Sequence, residues 1–467
     1  MTSSEVRQVP GTTAAAAGAN VSRRAKFQTL LDSVGRPFDP ERPILFSPAA
    51  VAQAAANGSS AYFAWNPLML PWEFTNWVQE SAAHTETCFL GDWSGLGTLQ
   101  IRGPEALSFL QYLGATDLSS FEPGRLKHHI QCDENGLLAS EGILTRTAED
   151  TFTYQGGGTD WAAWQLAAGT WDAKAEIRTP EMFLFHLQGP TSLAALEAAL
   201  GAGVRDLRFH DSRLVELAGR PVRLLRAGVS GELGYEVHGS AEDGDAVWTA
   251  LTEAGTEHGL RHLGVHSQLV AHIEAGIPTT GLDYLPSSIV TPGAPKLIPQ
   301  GSTTGSFIPS GGIGDFFRFP AELGWVRSIH LDHDFLGREA LCRQAAEGGP
   351  ARTFVGLTWN ADDVQHLFAA LFADEPLPEP MYMPRRVGLS MDQVLVDGTP
   401  VGVSSGRTYS PHLRQTISLC VIERGHATPG TEVTVLWGSP GTPQRELRAT
   451  VTKAPFKARR QHTDVST

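Results

Sequence analysis

Cysteine is scarce in this 467-residue chain: there are four, Cys88, Cys132, Cys342 and Cys420, and no two form a C-x-x-C pair. That excludes a disulfide framework and a zinc ribbon, and a reducing cytoplasm is the expected setting. Long apolar runs are missing too. No stretch of about 18 apolar residues occurs, so no membrane span is expected. Positive charge is in deficit, with 36 Lys and Arg against 50 Asp and Glu, a formal charge of −14 and a pI near 5.6. Such a surface does not suit nucleic acid or an anionic membrane. The opening residues, MTSSEVRQVPGTTAAAAGANVSRRAKF, lack an apolar h-region, so no secretory signal is expected. Residues 1–26 are small and polar and read as a mobile tail. No solenoid-type repeat is visible.

The length exceeds what one core fills and implies about two to four domains. GTLQIRGPEALSFLQYL reads as strand, turn and helix, with Ala106, Leu107, Phe109, Leu110 and Leu113 on one helical face. Residues 137–158 read as two strands around a polar turn, and residues 191–203 as an amphipathic helix closed by glycine. The aromatic, proline-bearing SSAYFAWNPLMLPWEFTNW reads as an ordered loop. Residues 285–320, rich in Pro, Gly and Ser, form a long insertion whose Ile and Phe residues imply packing. From about residue 350 to 460 the pattern is strand after strand, a separate C-terminal β-domain. The region 27–345 before it mixes strand-like and helix-like segments.

Short motifs compete with plain alternatives. GVSSG at 402–406 matches G-x-S-x-G, but a nucleophile elbow needs a following helix, and RTYSPHLRQTISL is strand-like. A strand–turn–strand is the expectation. His258, His262 and His266 share a face only if one helix carries them, and Gly259 and Gly264 weaken that helix. No metal site is expected. YQGGGTDW at 154–161 lacks the G-x-G-x-x-G and βαβ context of a dinucleotide site, although its backbone could approach a planar ligand. RAGVSGELGYEVHG at 226–239 spaces Gly228, Gly231 and Gly234 three apart, which permits positive φ and close approach. If a strand resumes there, Tyr235 and Glu236 lie on opposite faces. If the segment stays a loop, both can face a ligand, and a carboxylate can accept the adjacent N–H and amino donors of a pterin edge.

That stretch resembles the R-T-G-Y-T-G-E-x-G-[FY]-E signature of the glycine-cleavage T-protein superfamily, the folate-dependent aminomethyltransferases. HIEAGIPTTGLDY (272–284), ELGWV (322–326), DFLGREAL (334–341) and VGVSSGRTYSPHL (401–413) are similar to further motifs of that family, in its order. The resemblance spans roughly residues 85–460. It implies an α+β fold of three domains in a cloverleaf around a central folate channel, ending in a β-barrel or jelly-roll-like domain, with tetrahydrofolate as co-substrate. The insertion and the early aromatic stretch look most like the aryl O-demethylases of the vanillate and syringate type and a sesamin-converting methylene transferase.

The resemblance also implies residue roles. Glu236 would take the pterin edge, and Trp325 would lie against the ring or benzoyl group. Gln155 and Gly156 would run along the ligand, and Arg146 would hold a folate or substrate oxygen or pair in the core. Where vanillate-type enzymes carry D-Q-x-H-H-M, this chain has GDWSGLGTL. Asp92 is kept, and Trp93 and Ser94 replace polar groups, so an apolar substrate pocket is expected. A phenol-like acid suits a phenolate leaving group, and Tyr235 and Tyr62 are the candidates. The expected reaction is methylene transfer from a methylenedioxyphenyl lignan to N5 of tetrahydrofolate, giving a catechol and 5,10-methylene-tetrahydrofolate. The alternatives are O-demethylation of a vanillate- or syringate-type methoxyarene to 5-methyl-tetrahydrofolate, and a non-catalytic folate-binding protein. Flavin-linked relatives are disfavoured, since no FAD-binding βαβ segment precedes the domain.

Overall fold

The computed structural model describes residues 44–65, 67–295, 303–383 and 387–466. The expected tail, residues 1–26, lies outside them. Two sheets organise the first half. One has five strands in the spatial order Leu126–Cys132, Leu138–Ala148, Thr151–Gly157, Thr98–Arg102 and Lys174–Ile177. The other has six, in the order Ser212–Leu217, Arg220–Leu225, Gly234–Ser240, Met182–Gln188, Cys88–Asp92 and Leu260–Leu263.

Each sheet has one apolar face covered by helices. Leu99, Ile101, Leu144, Phe152 and Tyr154 of the five-stranded sheet pack on helices Ala106–Leu113 and Thr159–Ala168. The helical face expected at Ala106, Phe109, Leu110 and Leu113 is the buried one. Leu90, Phe185, Leu187, Leu224, Tyr235 and Val237 of the six-stranded sheet pack on helices Ser192–Leu200 and Gly244–Gly255. Side chains alternate along a strand, so the other face of each sheet is free for polar residues. Those faces meet: Ile143 packs on Leu225 and Ala227, and Gln155 Nε2 reaches His238 Nδ1 at 3.2 Å.

The aromatic stretch expected as a loop is a β-hairpin. Ala61–Trp65 pairs with Leu68–Glu73, Leu68 and Leu70 are fully buried, and a register shift between Ala61 and Tyr62 accommodates Pro71. GVSSG lies inside one long strand, Thr399–Ser410, where Ser404 Oγ bonds Ser418 Oγ at 2.8 Å, so no elbow forms. That strand belongs to a closed six-stranded barrel running from Arg352–Trp359 to Arg445–Thr452. The helix Ala361–Ala370, capped by Asn360, interrupts the expected strand series. Part of the insertion joins the barrel. Thr304 bridges Ser390, and Ser306 N donates to Asp392 Oδ1 at 3.2 Å.

Candidate functional site

The polar group between the two sheets centres on Glu236. Strand Gly234–Ser240 pairs antiparallel with Met182–Gln188, setting His186 opposite Glu236. His238 follows two residues on, so His186, Glu236 and His238 share one face. His238 Nε2 lies 3.0 Å from Glu236 Oε2 and His186 Nε2 lies 3.6 Å from it. Burial pushes the Glu236 carboxyl up, but the imidazoles of His186, His238 and His210 outweigh it and hold the pKa down at about 2. Burial lowers the His186 pKa to about 4 despite that carboxylate. The centre is therefore a carboxylate beside a neutral imidazole at physiological pH. The hydrogen bond between Glu236 and His238 falls on Oε2. Among the described residues no hydrogen bond falls on Oε1 of Glu236 or on Oε1 of Gln155.

Each expected site residue has a definite place. Gln155 is in this cluster through His238. Trp93 is also there, stacked on His186 with ring centroids 4.1 Å apart, and Gly91 leaves room for its ring. Trp93 is 2% exposed, so it backs His186 and does not wall an open pocket. Ser94 is buried, and its Oγ accepts the Leu184 N–H at 3.0 Å. Gly156 faces away from Gln155, where a Cβ would strike Glu141 O at 2.2 Å; it is a close strand contact.

Three expectations are corrected, those for Tyr235, Tyr62 and Asp92. Tyr235 shares no face with Glu236, because the segment is a strand; it is fully buried in the helix-covered core. Its hydroxyl has no hydrogen-bond partner among the described residues, and burial pushes its pKa up to about 12. Tyr62 lies on the outer face of the hairpin, 38% exposed and edge-on to Phe46. Asp92 is on the Tyr235 face, held by Ser47 Oγ at 2.5 Å, Gln53 Nε2 at 2.7 Å and Ser94 N at 2.8 Å. Arg146 takes one of its two expected places: it pairs locally, donating to Phe121 O and to Glu149 O and Oε1 across the ring of Phe152.

Trp325 belongs to a second polar group. It meets His128 edge-on at 5.0 Å and Tyr284 at 6.3 Å. His128 Nε2 lies 2.9 Å from Glu141 Oε2, and Tyr284 Oη bonds Thr280 Oγ1 at 2.6 Å. His128, Ile143 and Gln155 are cross-strand partners, so this group is on the same sheet face as Gln155. Two strand spacings, roughly 10 Å, separate His128 from Gln155 along that row.

The three histidines considered as a metal set sit on three different elements, a 3-10 turn, a strand and a helix. His186 and His238 were not singled out in the sequence. The available signal was alternation: His186 and Gln188 are polar at every second position of the otherwise apolar FLFHLQ.

A sheet sandwich with a buried carboxylate at its seam, followed by a closed barrel, defines a class that comparison with known proteins makes specific. Residues 50–291 match the family model described as the GCVT N-terminal domain, and residues 383–457 match the glycine cleavage T-protein C-terminal barrel domain. The chain belongs to the glycine-cleavage T-protein family. It is a tetrahydrofolate-dependent transferase, with tetrahydrofolate as co-substrate. It is 34% identical to the sesamin methylene transferase of Sinomonas sp. (strain No.22), covering 87% of this chain and 94% of that protein. It is 32% identical to the syringate O-demethylase of Sphingobium sp. (strain NBRC 103272 / SYK-6), covering 83% and 90%. The solved aminomethyltransferase T of Bartonella henselae has the same fold, with a TM-score of 0.68 at 18% identity over 90% of this chain and 99% of that one.

The residues present fit tetrahydrofolate. A pterin edge offers adjacent N–H and amino donors, and the cluster offers an ionised carboxylate with one open oxygen beside an open amide oxygen. Among the described residues no helix is long and apolar enough to cross a membrane.

Proposed function

We propose that the chain moves a one-carbon group from an aryl ether to N5 of tetrahydrofolate, and that the donor is a methylenedioxyphenyl lignan of the sesamin kind. The products would be a catechol and 5,10-methylene-tetrahydrofolate. The observation that carries this reading is the state of Arg146. Of the two places the resemblance leaves for that arginine, a ligand oxygen or a pair in the core, the second fits: Phe121 and Glu149 take its donors, and no guanidinium is left to meet a substrate carboxylate. A neutral donor is favoured over an aromatic acid. The likeness to a sesamin methylene transferase agrees, and the likeness to a syringate O-demethylase keeps methyl transfer as the second reading. We infer a reducing cytoplasm as the setting, in keeping with four unpaired cysteines.

Tetrahydrofolate supplies an amine nucleophile at N5. The chain's part is to orient and to move a proton. Glu236 Oε1 and Gln155 Oε1 accept the donors of the pterin edge and fix its register. A departing phenolic oxygen needs a proton, and the burial of Tyr235 in the helix-covered core and the outward position of Tyr62 speak against either as its donor. His128 is the better acid: Glu141 holds its Nε2, and in the imidazolium form Nδ1 carries a second proton. Holding the reacting atoms together is worth about 7–11 kcal/mol in favourable cases.

Incubation of purified protein with tetrahydrofolate and either sesamin or syringate, with products identified by mass, tests the reading. A sesamin-derived catechol is expected. Product from syringate alone makes the chain an O-demethylase. Folate binding with no product from either favours a non-catalytic folate-binding protein.

A further inference from the structure

His186, Glu236 and His238 have the spacing of a metal site, with one ligand atom each within 4.8 Å of one another and all three residues buried. A metal needs an unprotonated nitrogen from each imidazole, with the ring proton on the far nitrogen. The far nitrogen of His186 faces the amide nitrogen of Gln188, with Gln188 Nε2 3.0 Å from His186 Nδ1. Gln188 cannot be turned round. Its Oε1 accepts Val229 N at 3.2 Å, Ser230 N at 3.0 Å and Ser230 Oγ at 2.6 Å. Reversal would set an amide N–H₂ against two backbone N–H donors, Val229 and Ser230.

The glycine loop makes this clamp possible. A Cβ on Gly228 would lie 2.6 Å from Gln188 Cδ, and one on Gly234 would lie 2.5 Å from its Cγ. Gly231 takes φ +77° between them. The loop that reads as a cradle for a flat ligand wraps the side chain of Gln188. A matching pair lies across the sheet seam, where Gln155 Nε2 is 3.2 Å from His238 Nδ1.

We propose that Gln188 and Gln155 are positioning residues that lock His186 and His238 in the Nε2–H form, so that both imidazoles point N–H groups at Glu236 Oε2. Oε1 is left as the open acceptor. The trio then refuses a metal ion and serves as an anion preset for a ligand edge bearing N–H donors. The last clause rests on the folate reading of Glu236; the tautomer lock does not.

The test is a long-range ¹H–¹⁵N spectrum of the histidine rings in the full chain, assigned with His186→Asn and His238→Asn, alongside equilibrium dialysis with Zn²⁺. The wild type should show both rings neutral with the proton on Nε2, and no zinc that His186→Asn removes. In Gln188→Glu a carboxylate faces Nδ1, the proton moves there, and the lone pair on Nε2 is released. That variant should gain zinc affinity by about tenfold or more and lose tetrahydrofolate affinity to a similar degree. Gln155→Glu makes the same change at His238, should Gln188→Glu fail to fold. A wild-type His186 proton on Nδ1, or a zinc equivalent lost in His186→Asn, would overturn the lock. A wild type with the expected rings that binds no tetrahydrofolate would leave the lock standing and remove the folate reading.

Discussion

A single carboxylate carries the account at the residue scale. Glu236→Gln keeps the shape of the side chain and removes its charge, while the histidine N–H groups remain. A hydrogen bond to a charged group is worth about 1.5–3 kcal/mol, so tetrahydrofolate should bind roughly 10- to 100-fold more weakly. Fluorescence titration of the variant measures this. Tyr235→Phe is the contrasting change. It removes a buried hydroxyl without a hydrogen-bond partner, so kcat should be unchanged and the melting temperature equal or higher. A fall in kcat without loss of folded protein would restore Tyr235 as an acid. A signature-like stretch marks Glu236 in the sequence, and the structure sets it among buried polar residues between the sheets. Tyr235 beside it was misread because a loop was assumed where a strand runs, and in a strand neighbours point opposite ways.

The element that matters most is the loop from Gly228 to Gly234. Gly234→Ala would push a methyl into Gln188 Cγ. Overpacking of this kind costs about 1–3 kcal/mol, and displacement of Gln188 should weaken tetrahydrofolate binding as well. Unchanged binding by titration would mean that Gln188 does not position the site. Most elements were legible in the sequence. The helix Ser192–Leu200, stopped by Gly201 at φ +63°, and the barrel strands follow from periodicity and turn residues. The hairpin Ala61–Glu73 was not, because Asn-Pro and Pro-Trp are turn signals and only a register shift lets Pro71 stay in a strand. Nor was the partner of the loop. Gln188 lies some 40 positions upstream of the glycines it fits, at the end of another strand, and only β pairing brings them together.

On the scale of the whole molecule, one buried charge cluster ties the barrel to the sheets. Glu274 bonds His84 Nε2 at 2.7 Å and accepts Ser410 Oγ from the barrel at 2.6 Å, with Lys457 4.0 Å away and 3.5 Å from Glu232. The similar motifs around 232, 274 and 410 therefore converge on one junction. Glu274→Ala strands buried partners and should cost about 3–5 kcal/mol, read as a lower urea midpoint.

Acid should weaken the whole chain sooner than its carboxylates alone imply. Burial lowers His129, His186, His210 and His262 to about 4 each. Between about pH 6.5 and 4 the unfolded chain binds those protons and the folded chain does not. Stability then falls with pH by about 1.4 kcal/mol per unit for each such histidine. Asp392, raised to about 7 by burial, acts in the opposite direction together with Asp92 and Asp160, which burial also raises, while His84 and His266, also lowered by burial, add to the four histidines. Thermal melts from pH 7 to pH 4.5 should show a steady drop in melting temperature, and a flat profile would contradict these burial effects.

The central claim is that this chain takes a carbon from a neutral aryl ether and gives it to tetrahydrofolate. Sesamin labelled with ¹³C in its methylenedioxy bridges, incubated with tetrahydrofolate and the protein, tests it most directly. ¹³C should appear in the folate by NMR and mass, matched by catechol formation and strongly reduced in Glu236→Gln. Folate that stays unlabelled while the wild-type protein binds it would contradict the claim.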